Sequence, residues 1–371
     1  ISRQSLENLK LYKYSGVDNS ICANYVLSPY VWEPLLKYCI PFSVAPNMIT
    51  LIGGIFMFFA YALFYVESPT GSEDVTDFTL VMTALLIFLY QTADNLDGKQ
   101  ARRTHNSSPL GELFDHGVDS FMMGIFALIV VIVMKFDVTT QLVLFIALLS
   151  AFYFSHWEEY HTNTLILGYI FNPTELQLLC CGGLLIYAFN RDILFYTVFG
   201  ITIQTYGKYA ILAFALIANT NYIMSAVSFI LKNKTSSITA AAIRSLPYIA
   251  FMGMSLCCVF LLPKVFLTEH FHLVTGVIII VNAYVTQRLI VHRILKEQVE
   301  YYHTILVVYA LYTINIIISY LSIPSLDLRF ACILVLVIST AIESAFVYDV
   351  IRSFASYLHI NVLTINQKTH N

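Results

Sequence analysis

Four carboxylates interrupt an otherwise apolar chain. Residues 94–120 read DNLDGKQARRTHNSSPLGELFDHGVDS. Asp94 and Asp97 are spaced i,i+3, about 60° apart around a helix, and Asp115 and Asp119 are spaced i,i+4, about 40° apart. Each pair therefore shares one helix face. Ser107, Ser108 and Pro109 supply a turn between the pairs, so two antiparallel helices can bring all four carboxylates together. Such a group cannot fully ionise without a counter-charge, and the demand is stronger at a membrane edge. One or two divalent cations on oxygen ligands meet it. Mg²⁺, which keeps several waters and takes substrate phosphates as ligands, suits the site, and so does Mn²⁺. Two such ions side by side can clamp a diphosphate during its displacement. Gly98, Ala101 and Gly111 are small enough for a ligand or backbone to approach closely. Arg102 is placed to pair with a phosphate. His116, next to Asp115, is a candidate proton acceptor because a neutral imidazole titrates in the working range. The competing reading is a solvated loop whose carboxylates pair with Lys99, Arg102 and Arg103. The shared helix faces argue against it.

The elements that must position these residues are membrane helices. Of 371 residues, 58% are apolar and only 12% charged, about half the charge of a soluble domain. With a mean hydropathy of +0.72, this excludes a disordered chain, a basic-faced nucleic-acid binder and an ordinary soluble enzyme. Apolar runs fall near 46–66, 77–96, 113–134, 139–157, 174–189, 209–231, 245–262, 270–291, 303–321 and 329–350. They do not alternate as barrel strands do, and lipid leaves no partner for a free backbone N–H. The fold class is therefore all-α, a polytopic membrane protein of about ten transmembrane helices. Residues 1–45 hold two apolar, aromatic patches, expected as short interfacial segments on the bilayer, with a loop packed on the core as the alternative. With both termini in the cytosol, 15 Lys and Arg fall on that side and 5 on the other, which sets the orientation and places the 97–112 loop at the cytosolic face. The seven Cys show no zinc or disulfide spacing and read as small buried hydrophobes. Two glycosylation triplets, at Asn106 and Asn233, fall on the cytosolic side and are expected to stay unused.

The pattern D-x2-D-G-x2-A-R-x8-G-x3-D-x3-D is met by Asp94, Asp97, Gly98, Ala101, Arg102, Gly111, Asp115 and Asp119. It resembles the signature of CDP-alcohol phosphotransferases (the class-I CDP-alcohol phosphatidyltransferase family). The fuller DGKQARR and PLGELFDHG text resembles the eukaryotic choline and ethanolamine phosphotransferases, as do LENLKLYKYSGVD near the start, APNMIT at 45–50 and HWEEYHTNTLIL at 156–167. The resemblance implies that phosphoethanolamine or phosphocholine passes from CDP-ethanolamine or CDP-choline to diacylglycerol, giving the phospholipid and CMP. It also implies that the four aspartates hold two metals and that Gly98, Ala101, Arg102 and Gly111 contact the CDP moiety. Asn47 in APNMIT resembles a nucleotide contact, and Glu112 is a further nucleotide-side candidate. In the eukaryotic subfamily a His at the place of His116 is the proposed base, whereas across the wider family the last aspartate, here Asp119, often has that role. We favour His116. By the same resemblance we expect residues 46–231 to form six catalytic spans, residues 245–350 four C-terminal spans that could support a homodimer, residues 351–371 a cytosolic tail, and the protein to reside in the endoplasmic reticulum or Golgi.

Other polar residues are less specific. His156–His161 ends the fourth run and could line the headgroup end of the site, or form an interfacial aromatic belt. Glu343 lies inside the tenth run, where a carboxyl is costly. Asn282 and Asn315 read as interhelical hydrogen-bond formers. A transporter with an intramembrane carboxylate site would place its acids near the bilayer midplane on broken helices, whereas these cluster in 26 residues at one edge. A sibling transferase with another acceptor is disfavoured by the DGKQARR and FDHG text. HWEEY at 156–160 leans toward ethanolamine or dual headgroup use.

Overall fold

The computed structural model describes residues 1–13, 15–169 and 172–365. Lys368 and the end of the expected tail lie outside the described residues. The helices are α1 (Arg3–Glu7), α2 (Glu33–Tyr38), α3 (Pro46–Glu67), α4 (Asp77–Arg103), α5 (Pro109–Val133), α6 (Val138–Thr162), α7 (Pro173–Phe189), α8 (Ile203–Asn233), α9 (Ile238–Arg244), α10 (Leu246–Leu261), α11 (Lys264–Glu269), α12 (Phe271–Ile294), α13 (Thr304–Tyr320) and α14 (Leu328–Leu358). Every expected apolar run is helical. Among the described residues, seven helices are long and apolar enough to cross a membrane, or eight if the bent pair α9–α10 forms one span. The remaining two runs, α7 and α13, are shorter apolar helices of 17 residues each. The chain is an all-α polytopic membrane protein.

Local sequence sets the ends of the two helices that matter most. Thr76 caps α4, its hydroxyl accepting from the Thr79 amide at 3.2 Å. Ser108 caps α5 by accepting from the Gly111 amide at 3.0 Å, and Pro109 takes the first helical position. The motif is thus almost wholly helical, and only residues 104–108 form the turn. α4 continues to Arg103, past the expected end at 96, so both carboxylate pairs sit on regular helix.

α3 packs against both α4 and α5. Gly53 and Gly54 make this possible. A Cβ on Gly53 would meet the Ala93 Cβ at 3.0 Å, and one on Gly54 would meet Val118 Cγ1 at 3.3 Å. Small residues at such crossings let helix backbones approach closely. α12, the most enclosed of the spans, packs on α5, α6 and α14.

The N-terminal segments pack on the bundle. Leu6 and Leu9 are buried with Leu110, Leu113, Ile290 and Phe354 at the bundle end. Burying such a side chain stabilises by about 1.5–3 kcal/mol. A π-helical segment, Ala23–Trp32, runs into α2 and buries Trp32 and Leu36 against Ile49, Ala93 and Leu96. Tyr25, Tyr30, Tyr38 and Phe42 remain on the outside. Strand β1 (Gly16–Asp18) pairs in parallel with β2 (Leu165–Leu167), tying the N-terminal segment to the end of α6. α14 runs to Leu358, so the expected tail from 351 begins as helix. Asn282 accepts from the Tyr248 hydroxyl across α10 and α12 at 3.2 Å, as expected. Asn315 does not bridge helices: it bonds the Leu326 backbone in the turn that follows α13, because it faces outward there.

Gly53→Val should force α3 and α4 apart and cost about 1–3 kcal/mol. A thermal melt of the purified protein in detergent should show a lower midpoint, and an unchanged midpoint would contradict this packing.

Candidate active site

α4 brings Asp94 and α5 brings Asp115 and Asp119 to one point. Each offers a carboxylate oxygen, and the three oxygens lie within 4.8 Å of one another. Like charges at about 4 Å repel by about 4 kcal/mol per pair at an effective dielectric of 20. Two nearby bases are engaged elsewhere. Lys99 pairs with Glu33 at 2.7 Å and donates to Ser28 at 2.9 Å. Arg103 donates to the carbonyls of Leu36 and Ile40. The Asp115 Oδ1 atom is buried without a protein partner. A small polar recess with an orphaned carboxylate oxygen and two further carboxylates is an oxygen-ligand set that fits a divalent cation.

Asp97 stands apart from these three oxygens. It is buried, accepts a hydrogen bond from the Thr50 hydroxyl of α3, and forms part of the wall between two cavities. One cavity, about 340 Å³, contains Asp94, Asp97, Asp115, His116 and Asp119 and continues into an apolar region with Phe126, Leu148 and Phe152. The other, about 320 Å³, is lined by Asn47, Gly98, Ala101, Arg102, Gly111 and Glu112. Asp97, Gly98, Arg102 and Asp115 face both. Of the motif residues, Asp94 and Asp119 line only the first cavity and Ala101 and Gly111 only the second.

Three candidates carry unexpected partners. The Asn47 amide nitrogen donates to the Val362 carbonyl at 2.8 Å, joining this cavity to the chain beyond α14. Glu112 accepts from the Tyr12 hydroxyl and pairs with Arg293 of α12. His116 Nδ1 lies 3.8 Å from Asp119 Oδ2, and its ring meets the His156 ring edge-on at 5.0 Å between centroids. His156 in turn bonds Glu159 at 3.0 Å, and Glu159 lies 3.3 Å from Arg293. HWEEY thus reaches the site through His156.

Tyr90 and Thr50 escaped the sequence reading. The Tyr90 hydroxyl donates to Asp119 Oδ1 at 2.6 Å, orienting it from α4. Tyr90 stands one helical turn before Asp94, a spacing that offered a faint signal. Thr50 stands one turn after Asn47 and gave none.

The face of α4 turned away from the carboxylates anchors the entry segment. Gln100 donates to the carbonyls of Pro41 and Val44 at 3.0 and 2.7 Å, and the Arg103 guanidinium lies 4.2 Å from the Phe42 ring centroid. The Lys99 ammonium bonded to Glu33 holds that carboxyl below its ordinary range. DGKQARR thus has two tasks: Asp97, Gly98, Ala101 and Arg102 line cavities, Gln100 and Arg103 hold residues 36–44, and Lys99 does both, lining the carboxylate cavity while bonding Ser28 and Glu33.

Comparison with known proteins identifies relatives of this chain. The sequence profile of the family described as CDP-alcohol phosphatidyltransferase matches residues 43–201. An uncharacterized CDP-alcohol phosphatidyltransferase class-I family protein 2 of Dictyostelium discoideum is 31% identical across 98% of this chain and 88% of its own length. Choline/ethanolaminephosphotransferase 1 of Saccharomyces cerevisiae is 32% identical across 98% of this chain and 97% of its own. Ethanolaminephosphotransferase 1 of Homo sapiens is 36% identical across 48% of this chain and 47% of its own. The chain belongs to the CDP-alcohol phosphatidyltransferase family.

Arg103→Ala should release residues 33–44 from α4. Hydrogen bonds to a charged group contribute about 1.5–3 kcal/mol, so amide exchange in that segment should quicken roughly tenfold or more. Unaltered exchange there would remove the anchoring role.

Proposed function

We propose that the chain transfers phosphoethanolamine or phosphocholine from the CDP-alcohol to diacylglycerol, yielding phosphatidylethanolamine or phosphatidylcholine and CMP. The observation that carries this reading is that a cavity lined by Gly98, Ala101, Arg102 and Gly111 adjoins, across Asp97 and Asp115, a second cavity that contains the carboxylates and continues to Phe126, Leu148 and Phe152. A nucleotide diphosphate suits the first, and a lipid hydroxyl with its tails suits the second. Relatives named for choline and ethanolamine phosphotransfer support the substrate class.

In the proposed reaction the diacylglycerol oxygen forms a bond to the β-phosphorus. The bond from that phosphorus to the bridging oxygen breaks, and CMP leaves with it. Asp94, Asp97, Asp115 and Asp119 would hold Mg²⁺ or Mn²⁺, two ions fitting the four ligands. Such ions supply charge neutralisation and polarisation of the diphosphate. Arg102 would pair with a phosphate oxygen. Gly98, Ala101 and Gly111 would let the nucleotide lie against the backbone, with Asn47 and Glu112 at its far edge. His116 would accept the hydroxyl proton, and Asp119, oriented by Tyr90, is the second candidate for that role.

The setting belongs to the same proposal: endoplasmic reticulum or Golgi membrane, reaction at the cytosolic face, both termini cytosolic, and a homodimer. Residues 46–231 would form the catalytic spans and 245–350 a supporting group. HWEEY at 156–160, reaching the site through His156, favours ethanolamine or dual headgroup use.

With diacylglycerol and Mg²⁺ in detergent, the purified protein should release CMP from CDP-ethanolamine, and a chelator should stop it. Competition between the two CDP-alcohols reads headgroup preference directly. His116→Ala should lower turnover by about 10²–10⁴ while leaving Mn²⁺ binding intact. Near-normal turnover in His116→Ala would transfer the base role to Asp119, and no CMP release from either CDP-alcohol would overturn the proposed reaction.

A further inference from the structure

A second polar recess opens beside the nucleotide-side cavity. Its volume is about 590 Å³, and it lies between the C-terminal ends of α6 and α12, the turn before α9 and the N-terminal segment. Its charge is one-sided. Lys13, Arg244, Arg293 and Lys296 line it, against the single carboxylate of Glu297. Arg293 is matched by Glu112 and Glu159, which leaves three cations facing one carboxylate, and that carboxylate already accepts from Ser5. Among the described residues, the side chains of Lys13 and Lys296 have no hydrogen-bond or ion-pair partner. Arg244 is held in place, donating to the Ser236 hydroxyl at 3.0 Å with its guanidinium 5.9 Å from the Tyr160 ring centroid.

His161 supplies an independent indication. It is 6% exposed, lines the same recess, and its Nε2 atom is buried with no protein partner. A buried polar atom without a partner calls for a ligand or water. The wall carries a surplus of cationic donors over its one carboxylate, which selects a compact polyanion. A phosphomonoester carries about −1.5 to −2 at neutral pH and three acceptor oxygens, matching the surplus of positive charge and the fork of Arg244.

We propose that this recess binds a phosphomonoester, presented either by a lipid headgroup at the membrane surface or by a soluble phosphate. It is separate from the proposed reaction centre. It shares Tyr12 and Lys13 with the nucleotide-side cavity but contains none of the four aspartates, and its test needs no turnover.

The test is a thermal melt of the full-length protein in detergent with three additives in turn: inorganic phosphate, short-chain phosphatidic acid, and short-chain phosphatidylglycerol. Binding to the folded state should raise the midpoint saturably. A rise with phosphatidic acid but not with inorganic phosphate assigns a lipid ligand, and a rise with inorganic phosphate assigns the phosphate group itself. In Arg244→Gln and Lys296→Gln the half-saturating concentration should increase roughly tenfold. Lys296 is exposed, so its variant keeps the test decisive if Arg244→Gln fails to fold. No rise with phosphate or phosphatidic acid, an equal rise with the phosphodiester phosphatidylglycerol, or an unchanged half-saturating concentration in Lys296→Gln would overturn the proposal.

Discussion

Mutual repulsion among half-buried carboxylates is the constraint around which this protein is built. Three carboxylate oxygens within 4.8 Å are stable only with a cation or protons among them. The fold meets only part of that demand from its own side chains. His116 lies 3.8 Å from Asp119 and Arg102 lines the same cavity, whereas Lys99 is bound to Glu33, Arg103 to the carbonyls of Leu36 and Ile40, and Arg293 to Glu112 and Glu159. The remaining charge is what a metal and a diphosphate would together neutralise.

Rigid supports hold this arrangement. Gly53 and Gly54 let α3 press against α4 and α5, and Thr50 on α3 then reaches Asp97. Tyr90 crosses from α4 to Asp119 on α5. From the C-terminal half, the Gln287 amide donates to the Gly117 carbonyl at 3.1 Å and the Ser120 hydroxyl at 3.0 Å, bracing the turn of α5 that carries His116 and Asp119. α12 thus contributes both Gln287 and Arg293 to the surroundings of the site. Glu343 of α14, buried beside Gln287, belongs to the same polar seam.

What the sequence made legible follows from helix geometry. Two acid pairs at i,i+3 and i,i+4 separated by a Ser-Ser-Pro turn specify two facing helices, and α4 and α5 are those helices. Apolar runs specify spans, though span counting weakens where a run is short, as in α7, or bent, as at α9–α10. Contacts between residues far apart in sequence were not legible. Tyr12 and Arg293 meet at Glu112, and Val362 meets Asn47, and no local spacing encodes either meeting. The N-terminal segment left two readings open for a related reason. Its apolar side chains are equally suited to lipid and to a bundle end, and only the tertiary structure assigns Leu6, Leu9 and Trp32 to the latter.

The most direct measurement is electron paramagnetic resonance of Mn²⁺ added with CDP-ethanolamine to the purified protein. A spin-coupled Mn²⁺ pair is expected in the wild type and should be lost in Asp94→Ala and in Asp115→Ala. Only isolated Mn²⁺ signals, identical in the wild type and both variants, would contradict it.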